Sequence, residues 1–134
     1  MLTETIETVP IRSSEDIVRV RQKVRFQAGA MGMSLIDQTK FITAASEIAR
    51  NTFEYGGGGE LVMETLRDGA RRGLRLTFSD EGPGIADIEQ AMRDHFTTGG
   101  GLGLGLGGAK RLVNEFDIES RPGEGTRISL IRWK

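Results

Sequence analysis

Cysteine is absent from the chain, which excludes a disulfide framework, a thiolate zinc site and a cysteine nucleophile. His95 is the one histidine, so a multi-histidine metal centre is excluded as well. No uninterrupted apolar run approaches the ~20 residues of a membrane span, and no membrane contact is expected. The opening MLTETIETVP is acidic and alternating, with no basic region followed by an apolar stretch, so no signal peptide is expected. Neither charge sign dominates: 18 Lys and Arg against 19 Asp and Glu leave a net charge of −1, which argues against a nucleic-acid partner. The expected location is cytoplasmic, in a reducing compartment. An apolar share of 37% with 28% charged residues excludes a largely disordered chain. The length of 134 residues closes one core of ordinary size, and a single domain over 1–134 is expected.

Glycine, in contrast, is abundant: 19 residues, roughly twice average usage. Seven of the ten residues Gly99–Gly108 are glycine, and Gly56–Gly59 add four more. Around these clusters the chain is ordinary. Thr3–Ile11 alternates and reads as a first strand at a sheet edge. Ser13 and Ser14 before Glu15 and Asp16 open a helix to about Ala30, with Ile17, Val20, Val24 and Gln27/Ala28 inward. Ser34 with Asp37 opens a second, to about Tyr55, whose core face is Leu35, Ile42, Ala45, Ile48 and Thr52. Glu60–Leu66 and Gly73–Asp80 form a hairpin around the turn Arg67–Arg72. A short helix is expected over Ile85–Arg93 and another over about Gly107–Glu115. Phe116–Ser120 and Thr126–Trp133 close the chain as a second hairpin. The expected fold class is α+β: a two-layer sandwich of one mixed, mainly antiparallel sheet with helices on one face.

Three constellations carry chemistry. Glu47 and Asn51 are four residues apart on the second helix and project from one face. They are either a boundary pair covering the helix flank, or a carboxylate base beside an amide that binds a hard cation such as Mg²⁺. Asp80 ends a half-buried strand and is followed by Gly82-Pro83-Gly84-Ile85. This is either a plain turn or a turn that lets a ligand approach the backbone. An ionised carboxylate accepts hydrogen bonds only, so it suits the amino group of adenine and rejects the carbonyl of guanine. Gly99–Gly108 runs into a helix, and bare amides at a helix start favour phosphate. A floppy linker has no use for Leu102, Leu104 and Leu106 at regular spacing. There is no GxxxxGK[ST], so a P-loop is excluded. Gly103, Gly105 and Gly108 satisfy GxGxxG, but no apolar strand precedes them and no βαβ unit surrounds them. A eukaryotic-type protein kinase is excluded by length and by the missing catalytic-loop pattern.

The order is more specific than any part. A helix with ExxxN, a strand ending in DxGxG, a GLGLGLG tract opening a helix and a hairpin with GxGT together resemble the Bergerat ATP-binding fold of gyrase, heat-shock chaperone ATPase, histidine kinases and mismatch-repair ATPase. The stretches ITAASEIARN, DEGPGIADI and GLGLGLGGAKRLVNEFDIES look most like the anti-sigma-factor-type serine/threonine kinases of the RsbT subfamily. The resemblance implies ATP and Mg²⁺ as cofactors. It implies Glu47 as the acid that activates the attacking hydroxyl and Asn51 as the Mg²⁺ ligand. Asp80 matches the adenine-reading carboxylate, with Gly82, Gly84 and Ile85 in the turn under the base. Gly101, Gly103, Leu104 and Gly105 match the phosphate-wrapping lid. Lys110 is a candidate phosphate partner in the first turn of the helix that follows. Thr126 matches the hydroxyl supporting the adenine carboxylate. His95 is expected to be a loop surface residue. The implied activity is phosphorylation of STAS-domain antagonist or scaffold proteins in a partner-switching module of the stress response. The resemblance further implies that, after release, the kinase activates a PP2C-type phosphatase through its regulatory domain. The alternative is an anti-sigma factor that sequesters a sigma subunit. A detached histidine-kinase ATPase domain is disfavoured, because no dimerisation helix pair and no phosphoacceptor histidine in a helix are present.

Overall fold

A computed structural model describes residues 1–93 and 105–134. The expectations for His95, Gly101, Gly103 and Leu104 lie outside these residues. The described elements run β1 (Leu2–Ile11), α1 (Ser14–Met31), α2 (Leu35–Glu54), β2 (Gly59–Asp68), β3 (Arg71–Asp80), α3 (Ile88–Ala91), α4 (Gly105–Arg111), β4 (Glu115–Ser120) and β5 (Thr126–Trp133). The strands form one sheet in the order β1-β2-β3-β5-β4, and every pairing is antiparallel. β1 lies at an edge, as its Pro10 suggests.

The helix starts are local chemistry. The Ser13 hydroxyl accepts from the Asp16 amide at 3.3 Å, and the Ser34 hydroxyl accepts from the Asp37 amide at 3.1 Å. Each cap satisfies one amide that the first turn leaves without a carbonyl. Ile17, Val20, Val24 and Ala28 of α1 are buried against the sheet layer, as are Phe41, Ala45 and Ile48 of α2. They meet Leu61 and Met63 of β2, Leu74, Leu76 and Phe78 of β3, and Ile128 and Leu130 of β5. The register puts the alternate residues on the opposite face, where Arg75 pairs with Glu64 at 2.9 Å and Thr77 with Ser129 at 3.2 Å. This is the expected two-layer arrangement, with helices on one face. Among the described residues, no helix is long and apolar enough to cross a membrane.

Several boundaries differ from the sequence reading. Leu35 is 79% exposed rather than core, because burial on α2 begins only at Phe41. The first hairpin is longer than expected, since Asp68 already pairs with Arg71 and only Gly69 and Ala70 turn the chain. Gly69 supplies the positive φ of 63° that this tight turn needs. The third helix shrinks to Ile88–Ala91 because the Asp87 side chain caps it, accepting from the Gln90 amide at 3.0 Å. α4 begins at Gly105, not Gly107, and ends at Arg111 rather than Glu115, which belongs to β4.

Candidate active site

α2 presents Glu47 and Asn51 one turn apart, and both line a cavity of about 210 Å³. Ile85, Ala86, Asp87, Gln90 and Ala91 form another wall, and Gly105 and Leu106 at the start of α4 a third. Glu47 is 8% exposed although it is charged, and a carboxylate so placed needs a partner. The Gly105 amide donates to Glu47 Oε1 at 3.2 Å. For Gly105 this differs from the reading of the tract as bare amides; Gly99 to Leu104 lie outside the described residues. The Gly105 amide is thus engaged by the Glu47 side chain.

Asp80 stands in a second cluster, at the end of β3. Burial pushes its carboxyl above the ordinary carboxylate range, against hydrogen bonds from the Gly82 and Thr126 amides that pull it down. The Gly82 amide donates to Asp80 Oδ1 at 2.9 Å. Thr126 is the register partner of Asp80 on β5. A Cβ on Gly82 would stand 2.6 Å from the Gly56 carbonyl oxygen, so the two turns touch backbone to backbone. Gly84 has φ 75°, and a Cβ there would collide with the Arg121 carbonyl. The turn below Asp80 therefore packs too closely for side chains, as the Gly-Pro-Gly spacing suggests.

The two clusters adjoin. Gly56, which packs on Asp80, donates its amide to the Asn51 carbonyl at 3.1 Å. Ile85 is buried between them: it lines the cavity, and its amide donates to Ser120 Oγ at 2.8 Å. Glu47, Asn51, Ile85 and Gly105 thus share one cavity, and Asp80, Gly82, Gly84 and Thr126 form the neighbouring sheet-end cluster. Lys110 joins neither. It lies in the last turn of α4, exposed, because the helix starts two residues earlier than expected.

Two residues outside the sequence-level selection shape the site. Arg132, on the helix-facing side of β5, donates to the Leu112 carbonyl at 2.8 Å and to Asp37 at 2.6 Å. It fastens the end of α4 to the start of α2, and its hydrogen bond holds the Asp37 carboxyl below the usual range. Ser120 bonds to Ile85, Gly125 and Thr126 at once. The alternation of β4 offers a signal for it, since Ser120 is a polar residue in phase with core-facing Phe116 and Ile118.

Residues 36–134 match the family model of the histidine kinase-, DNA gyrase B- and HSP90-like ATPases. The chain belongs to this family. Over 125 residues it is 46% identical to the serine/threonine-protein kinase RsbT of Bacillus subtilis, covering 93% of this chain and 94% of that protein. An anti-sigma F factor of Thermoanaerobacter is 32% identical over 96 residues, covering 68% of this chain and 66% of that protein. The crystal structure of the RsbU and RsbW domains of a Mycobacterium tuberculosis protein shares the fold. It has a TM-score of 0.65 at 20% identity and covers all of this chain and 33% of that one. The Bergerat-type assignment and its RsbT-like branch thus agree with the α+β architecture and the antiparallel sheet.

Proposed function

We propose that this member of the ATPase family is an ATP-dependent protein serine/threonine kinase of a partner-switching module. Its substrates are STAS-domain antagonist or scaffold proteins, and once released from them it activates a PP2C-type phosphatase by binding the regulatory domain. The observation that carries this reading is the shared cavity: Glu47 and Asn51 open into one space with Ile85 and the first residue of α4. The likeness to RsbT along nearly the whole chain supports the choice of kinase over a simple nucleotide-binding module.

Asp80 reads adenine by accepting from its amino group, over the close-packed turn of Gly82, Gly84 and Ile85. In phosphotransfer sites Mg²⁺ takes one or two protein ligands and completes its shell with phosphate oxygens and water. Asn51 would hold it, and when bound it neutralises phosphate charge. In the transfer the seryl or threonyl oxygen attacks the γ-phosphorus, the bond from that phosphorus to the β–γ bridging oxygen breaks, and ADP leaves. Glu47 takes the hydroxyl proton. The Gly105 amide fixes the carboxylate for this role, and most of the rate gain comes from positioning.

The anti-sigma F factor relatives support a second reading, in which the chain sequesters a sigma subunit. A pull-down from the native cell, followed by incubation with γ-labelled ATP, separates the two. Label on a captured STAS-domain protein supports the kinase module; capture of a sigma subunit with no labelled STAS protein supports sequestration.

A further inference from the structure

We propose that Ser120 sets the base specificity of the nucleotide site by fixing the direction of the Thr126 hydroxyl, so that this hydroxyl can only accept from a ligand. The inference rests on the reading of Asp80 as the adenine carboxylate and adds a positioning residue to it.

The case is an inventory of protons. Ser120 Oγ has three polar neighbours: the Ile85 amide at 2.8 Å, the Gly125 carbonyl at 2.9 Å and Thr126 Oγ1 at 2.8 Å. A serine hydroxyl has one proton to give and two lone pairs to receive. The Ile85 amide can only donate, so it occupies one lone pair. The Gly125 carbonyl can only accept, so the serine proton goes there. One lone pair then remains for Thr126, whose hydroxyl must donate its own single proton to Ser120. The opposite assignment leaves two acceptors facing each other at Gly125 without a proton between them. Thr126 is 7% exposed, so its hydroxyl has little water to turn toward.

The consequence lies on the side facing Asp80. Thr126 is the cross-strand partner of Asp80, and paired residues share a sheet face. The nearby donors are engaged already. The Gly82 amide bonds to the Asp80 carboxylate, the Ile85 amide bonds to Ser120, and so does the Thr126 hydroxyl. What these groups leave for a base is acceptors: the carboxylate and the lone pairs of Thr126 Oγ1. Adenine offers a donor at its amino group, directly or through one water. Guanine offers a carbonyl there, and an acceptor set leaves that carbonyl unpaired, which sites built on hydrogen bonds reject strongly. Without Ser120 the Thr126 hydroxyl is free to rotate and donate, so its share of the penalty against guanine is lost while the Asp80 carboxylate keeps its own.

The test measures dissociation constants of ATP and GTP by calorimetry on the full chain, with Mg²⁺ and without protein substrate. Ser120→Ala is expected to narrow the ATP-to-GTP ratio by about fivefold, the range of one neutral hydrogen bond. Thr126→Val, which removes the hydroxyl at nearly constant shape, is expected to narrow it similarly. Ser120→Thr, which keeps a hydroxyl, is expected to retain the ratio. The double variant Ser120→Ala/Thr126→Val should be no worse than Thr126→Val, because Ser120 acts through Thr126. Additive losses would overturn the proposal, as would a wild-type ratio in Ser120→Ala. Asp80→Asn is the control. If it collapses ATP binding while Ser120→Ala leaves the ratio intact, the proposal alone falls. If Asp80→Asn changes neither affinity, the adenine reading falls and the proposal with it. Should Ser120→Ala fail to fold, proton NMR of the wild type with ATP bound decides. A Thr126 hydroxyl proton close to Ser120 supports the assignment, and one turned toward the base overturns it.

Discussion

Glu47→Gln separates the chemical role of this side chain from its structural one. The substitution keeps an oxygen at Oε1, so the Gly105 amide, now 3.2 Å away, retains an acceptor. It removes the charge and the capacity to take a proton. An amide bond to a buried carboxylate is worth about 1.5–3 kcal/mol and a neutral one about 1 kcal/mol, so folding stability should fall by about 1 kcal/mol. For a chain of this length that lowers the melting midpoint by roughly 3–5 °C. Loss of the general base should slow phosphoryl transfer by about 10²–10⁴-fold. ATP affinity should hardly change, because neither the Asp80 cluster nor Asn51 is touched. Three measurements on one protein suffice: transfer of label from γ-labelled ATP to a STAS-domain substrate, calorimetric ATP binding, and a thermal melt. A normal transfer rate would remove Glu47 from catalysis. Loss of binding together with transfer, or a fall in melting midpoint well beyond 5 °C, would mean that the carboxylate serves chiefly to hold α4.

The remaining predictions use the same assays. ATP affinity should fall as pH is lowered through the carboxyl of Asp80, with a midpoint above the ordinary carboxylate range, because burial raises this group and only the ionised form is a pure acceptor. The sign for the free protein is opposite: a raised folded-state value means that Asp80 favours folding most at pH below the ordinary carboxylate range, and this contribution is lost as pH rises through the raised value. Asp80→Asn should remove the Asp80 contribution to both pH dependences and cost about 1.5–3 kcal/mol of ATP binding. Asn51→Ala should flatten the Mg²⁺ dependence of ATP affinity, and an unchanged titration would refute its assignment. Gly84→Ala should destabilise by more than 2 kcal/mol, from positive φ plus collision with the Arg121 carbonyl, whereas Gly69→Ala, with positive φ but nothing within 4 Å, should cost only about 1 kcal/mol. Equal melting shifts would show that the turn below Asp80 yields.

The strands and long helices were readable because each has a strong local period. Leu74, Leu76 and Phe78 alternate and are buried; Ile17, Val20, Val24 and Ala28 recur every three or four residues and are buried. Pairs in one element were readable too, since Glu47 and Asn51 share a face on any helix. The misjudged positions are those whose fate depends on another element. Leu35 continues the α2 stripe in sequence, but α2 is uncovered there. The start of α4 looks like an open amide cluster until α2 brings Glu47 against it. Arg132 drew no reading from the sequence, since only the tertiary fold places Asp37 and the Leu112 carbonyl within its reach. Ser120 is one step harder, because its meaning lies in three partners from two turns and a strand.

In the proposed function the two carboxylates cannot exchange roles, because of what each touches. Asp80 ends a strand of the sheet opposite Thr126 of β5 and accepts the Gly82 amide, from a turn that packs backbone against backbone on Gly56. That amide holds it still and leaves lone pairs for a donor on the base. A proton taken there would replace an acceptor with a donor and defeat the reading of adenine. Glu47 stands on α2 and, among the described residues, accepts one amide, that of Gly105. It lines the same cavity as Asn51, so under the proposed function a cation held by Asn51 and a hydroxyl that loses its proton to Glu47 would meet in one space. The proposed separation follows from the elements that carry them: the sheet end would supply rigidity for recognition, and the face of α2 a carboxyl for transfer.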